Sequence, residues 1–98
     1  MANMDNATEW DIGLPRAGFE WAWNALRELH PELIEETRQF NDGLVKKYLR
    51  FDGEWGKGLA FEVYTPGHHT AHGHPTVRRW ITKKAWEELG RPNLRTHG

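Results

Sequence analysis

The stretch from Leu59 to Thr82 restricts the fold more than any other in this chain. Leu59-Ala60-Phe61-Glu62-Val63-Tyr64-Thr65 alternates with a period of two, which suits a half-buried strand and puts Leu59, Phe61 and Val63 on one face. Val77 to Ile81, rich in β-branched and aromatic residues, reads as a further strand. Between them lies Pro66 to Pro75, a loop holding His68, His69, His72 and His74. Ninety-eight residues make a single domain (1–98) with a small core, so the remaining elements must pack on this sheet.

Residues 1–15 read as an irregular arm, with Trp10, Ile12 and Leu14 spaced two apart. Arg16 to Leu29 has Phe19, Ala22, Trp23, Leu26 and Leu29 at helical spacing. Pro31 closes that helix and suits the first position of a second one, with Glu32, Glu35 and Glu36 in its early turns and Leu33, Ile34, Thr37 and Phe40 on its buried side. Asn41-Asp42-Gly43 supplies a left-handed stop. Leu44 to Phe51 reads as a strand with Val45, Leu49, Phe51 and the stem of Lys47 on one face, joined to Leu59–Thr65 by a loop of about seven residues that holds Trp55. Thr82 caps a short helix from Lys83 to Leu89; the rival is one helix from Pro75 to Leu89, and both end at Gly90 with Pro92 beyond. Residues 93–98 form a loosely held tail. The expected fold is α+β, with two N-terminal helices packed on a small antiparallel sheet of two or three strands and a short C-terminal helix.

Missing residue types exclude whole classes of chemistry. Without Cys there is no disulfide, thiolate nucleophile or Cys-ligated zinc, and without Ser the commonest hydroxyl nucleophile is gone. Asp52-Gly53-Glu54-Trp55-Gly56-Lys57-Gly58 has neither P-loop nor dinucleotide-binding spacing. The expectation is therefore a protein that is not an enzyme. The first six residues lack a signal-peptide pattern and the apolar runs are too short to span a bilayer, which makes the cytoplasm the expected location.

Three constellations remain as candidate sites. The first is the set of six tryptophans, more than so small a core readily encloses with every indole N–H paired. Trp21 cannot share a helix face with Trp23, since two residues turn a side chain by about 200°. Trp10, Trp21, Trp55 and Trp86 are thus the candidate anchors for a partner protein or a second copy of the chain. Charge adds to this, with a net of −6 over residues 1–42 and +5 over 43–98. The favoured function is a non-catalytic protein-binding module that modulates its partner. The second constellation is Arg78, Arg79, Lys83, Lys84 and Arg91, interleaved with Trp80 and Trp86, which points to a small nucleic-acid-binding regulator. The third is His68, His69, His72 and His74, whose imidazoles suit a zinc ion; otherwise no cofactor is expected.

The run Ile81-Thr82-Lys83-Lys84-Ala85-Trp86-Glu87-Glu88-Leu89-Gly90-Arg91-Pro92 resembles a strand-end and short-helix pattern of small actinobacterial phage accessory proteins. The resemblance covers twelve residues. It implies a factor that binds a bacterial host protein, and it assigns no functional residue.

Overall fold

The computed structural model describes residues 14–52 and 58–96. The elements are α1 (Arg16–Leu29), β1 (Ile34–Gln39), β2 (Val45–Arg50), β3 (Gly58–Thr65), β4 (Thr76–Ile81) and α2 (Lys83–Glu88), with a 3-10 turn at Gly67–His69. The four strands form one antiparallel sheet in the order β1-β2-β3-β4. The expected fold class is therefore corrected. Among the described residues a single N-terminal helix packs on a four-stranded meander, and the stretch expected to form a second one forms β1 instead.

The misplaced element is β1. Its glutamates sit at spacings that also suit the first turns of a helix, but burial alternates along Ile34–Gln39, half-buried then exposed. Asn41-Asp42-Gly43 is the reason. Gly43, at φ 95°, closes a hairpin in which Phe40 N donates to Leu44 O (2.9 Å) and Gly43 N donates to Phe40 O (3.0 Å). A turn that reverses the chain here pairs Glu36 with Tyr48 and Arg38 with Lys46 across β1 and β2. Such cross-strand pairing outweighs local propensity.

The core lies on one face of the sheet. Phe19, Ala22, Trp23 and Leu26 recur along α1 at i, i+3, i+4 and i+7 and join Leu49, Ala60 and Ile81 of the strands, with Ala85 of α2. Leu14 closes the group and donates its amide to Arg79 O on the outer edge of β4 (2.7 Å). Leu94, in the segment read as a tail, is only 2% exposed, and the Trp86 indole donates to Pro92 O (2.8 Å), which holds this segment against the helices. Leu26, Leu49, Ile81 and Leu94 are fully enclosed, each burial contributing roughly 1.5–3 kcal/mol.

Leu49 pairs with Ala60, and Ala60 with Ile81, so β3 turns Ala60 toward the helices. Phe61 and Val63, on the more apolar side of β3, point the other way. Among the described residues, no helix lies over that side.

Candidate binding face on the open side of the sheet

Two transverse rows of side chains stand next to each other on this open face. Register places Glu36, Tyr48, Phe61 and Trp80 in one row, and Arg38, Lys46, Val63 and Arg78 in the next. Each row crosses all four strands. Two residues along a strand separate the rows by roughly 6.6 Å.

The first row is aromatic. Tyr48 and Phe61 have ring centroids 6.3 Å apart, and Phe61 stacks on Trp80 at 5.1 Å with 17° between planes. Guanidinium groups close both ends, with Arg38 5.7 Å from the Tyr48 centroid and Arg78 5.2 Å from that of Trp80. All three rings remain half-buried, and Trp80 also packs against the core cluster. Phe40, 43% exposed, lies beyond it with the Lys46 ammonium 5.7 Å from its ring. Arg38, Phe40, Lys46, Tyr48, Phe61, Val63 and Trp80 line a depression of about 330 Å³, near the lower limit of roughly 300 Å³ for small-ligand sites.

Charge on the face is one-sided. Among the described residues, Arg38, Lys46, Arg50 and Arg78 stand against the one carboxylate of Glu36, a net of +3 in a chain whose total is −1. Arg38 Nε donates to Glu36 Oε2 (2.9 Å) and Arg50 Nε to Glu36 Oε1 (2.6 Å), while Arg50 Nη1 donates to Phe51 O (3.1 Å). These bonds, that from Arg38 first, hold the Glu36 carboxyl below the ordinary carboxylate range.

The opposite face also carries paired charges. Arg79 Nε donates to Glu62 Oε2 (2.8 Å), the Lys47 ammonium lies 5.0 Å from the Trp23 ring, and Arg27 pairs with Glu35.

No protein-family model matches this chain, and no curated protein or solved structure was found to be similar to it.

The residues singled out by sequence are scattered over this structure. Of the candidate anchors, Trp21 is 40% exposed on α1, Trp86 is held by its bond to Pro92 with Arg91 5.9 Å from its ring, and Trp10 and Trp55 fall outside the described residues. Of the basic set, only Arg78 belongs to the open face. Arg79 looks the opposite way, Lys83 and Lys84 open α2, and Arg91 pairs with Glu87 at 3.5 Å. His68 and His69 sit in the 3-10 turn, His69 Nε2 bonding Asp42 Oδ2 (2.9 Å); His72 and His74 form a separate pair in which His74 N donates to His72 Nδ1 (3.3 Å). Among the described residues, no group of three or more His, Asp or Glu side chains is placed to hold a metal ion. Nor is any described helix long and apolar enough to cross a membrane.

Sequence reading missed Tyr48, Phe61, Arg38, Lys46 and Arg50 as site residues. Their signal was the polar alternation of β1 and the apolar alternation of β3, legible as a site only once the faces are assigned.

Proposed function

We propose that this protein is a non-catalytic module that binds single-stranded nucleic acid across the open face of its sheet. The observation that carries this reading is the pair of adjacent rows, Tyr48-Phe61-Trp80 beside Arg38-Lys46-Arg78. Bases stack on the guanidinium planes at the ends of the row or take their place on the Tyr48 and Trp80 ring faces, while phosphates sit over the neighbouring cations about one nucleotide's reach away. A strand running across the four β-strands, spaced about 4.8 Å apart, meets both rows along its whole path, which is room for about three nucleotides.

Size and sign favour this ligand over a folded partner. The face measures roughly 20 Å by 20 Å, or about 400 Å². That is half of the approximately 800 Å² each partner buries in a standard protein interface. A second copy of the chain would bring another net +3 against it, so dimerisation through this face works against Coulomb's law. A protein partner remains the second reading, because Trp, Tyr and Arg dominate interface energetics; it requires a short acidic segment.

Anisotropy of labelled 20-nucleotide oligo-dT and oligo-U, measured at several salt concentrations, tests the proposal. Binding should weaken with salt, with a log–log slope of about −2 to −3 for three or four phosphates. Arg78→Ala and Lys46→Ala should each reduce the slope by about 0.7 while the protein stays folded. No binding to either strand at low salt would reject the nucleic-acid reading in favour of an acidic peptide.

A further inference from the structure

Glu36 is out of place on a face that otherwise presents cations. It stands in the aromatic row at the β1 end, and both its carboxylate oxygens accept from guanidinium Nε–H groups, Oε2 from Arg38 at 2.9 Å and Oε1 from Arg50 at 2.6 Å. Side-chain exposures of 24% for Glu36, 38% for Arg38 and 18% for Arg50 put the cluster at the surface, open to a solute. Two guanidiniums converging on one pair of oxygens is also the arrangement that recognises a phosphate.

We propose that the Glu36 carboxylate is a built-in competitor, filling from within the chain an anion site between Arg38 and Arg50 that a phosphate group takes once Glu36 gives way. The carboxylate has two opposed effects. It holds the guanidiniums in a phosphate-ready geometry, and it cancels one of the charges that would attract the ligand. Attraction decides the outcome, because Arg50 keeps a second hold on the backbone through Phe51 O (3.1 Å) and Arg38 lies against the Tyr48 ring (5.7 Å). Both therefore retain contacts when the carboxylate leaves. Glu36 thus sets how weakly the face holds its ligand, which makes binding reversible and biased toward strands that supply several phosphates at once. This inference rests on the nucleic-acid reading for its biological sense, but the anion site itself does not.

The first test uses inorganic phosphate alone. In Glu36→Gln, titration should give saturable NMR shifts of the Arg38 and Arg50 Nε–H signals in the millimolar range, with the wild type responding several-fold more weakly; a chloride titration at equal ionic strength should leave both unmoved. The second test uses the oligo-dT and oligo-U strands. Glu36→Gln should bind them at least about threefold more tightly at low salt, with a slope steeper by about 0.7. Equal or weaker phosphate binding by Glu36→Gln, with thermal unfolding and the sheet amide signals preserved, would overturn the competitor role and leave Glu36 as a positioning residue. Should Glu36→Gln disturb the sheet, Glu36→Ala is read by the same criteria. Phosphate binding gained without any oligonucleotide binding would keep the anion site and reject the nucleic-acid reading.

Discussion

Trp80 has three sets of neighbours: Phe61 stacks on it, the Arg78 guanidinium lies over its ring, and it packs against the core cluster. A ring fixed in this way loses little freedom when a base joins the row, so it should contribute strongly to binding. Trp80→Ala is expected to cost about 1–3 kcal/mol of oligonucleotide affinity, and Trp80→Phe much less, as read by anisotropy. Gly18 carries a prediction about stability instead. A side chain there would collide with the Leu94 carbonyl, so Gly18→Ala should lower stability by about 1–3 kcal/mol in urea unfolding and loosen the segment after α2. Leu49→Ala, which empties the fully buried centre of β2, should cost about 2–5 kcal/mol in the same measurement. None of these roles could be assigned to Trp80 or Leu94 from residue type alone. Trp80 was visible as an indole among arginines, whereas Leu94 stood isolated after a Gly and a Pro, with no periodicity to mark it as core.

Among the elements, α1 was legible because its apolar spacing is long and regular, and β3 because it alternates; β2 fitted either period until paired with β3, and β4 with α2 competed with one helix from Pro75 to Leu89, since Gly90 ends both. Thr82 does accept from Ala85 N at 3.1 Å, as a capping residue should. The segment Ile34–Gln39 was not legible as a strand. Its charges fit either period, and Asp42-Gly43 marks a reversal of the chain after a strand as well as the end of a helix. Only pairing with β2 separates the two.

Where α1 meets α2, His30 Nε2 lies 2.6 Å from Glu88 Oε1 and His30 Nδ1 lies 3.6 Å from Glu32 Oε2, with the Phe51 ring edge-on at 5.2 Å. The hydrogen bond to Glu88 raises the His30 pKa above 6.5, against a smaller effect of burial and with help from the Glu88 and Glu32 charges. A raised folded value means that this contribution is complete below pH 6.5 and is lost as pH climbs through that value. Urea unfolding at pH 5.5 and 8.5 should therefore show wild type losing up to about 1 kcal/mol more than His30→Asn on going to the higher pH. Asp42 runs the opposite way. Bonds from Leu44 N and then His69 lower its pKa, so its contribution holds above the ordinary carboxylate range and is lost on acidification.

At the scale of the molecule, charge among the described residues sorts by face rather than by half of the chain. The division into an acidic first part and a basic second part was true of the sequence, but β1 of the first part supplies Arg38 to the basic face while Arg79 of the second turns to the helix side. The aromatic surplus sorts in the same way. Trp23 is buried at 8% exposure, Trp80 and Trp86 are half-buried, and Trp21 is exposed, yet the surface with matching charge is built mostly from Tyr48 and Phe61. Counting indoles pointed to an outward-looking aromatic surface without locating it, because a period-two pattern names two faces and leaves open which one meets the helix.

The most direct measurement is backbone amide chemical-shift mapping of the folded protein with unlabelled oligo-dT at low salt. The account predicts that perturbations concentrate on Arg38, Lys46, Tyr48, Phe61, Val63, Arg78 and Trp80, with α1 unchanged. Shifts centred on α1, α2 or the His68–His74 loop, with the strand residues still, would contradict it.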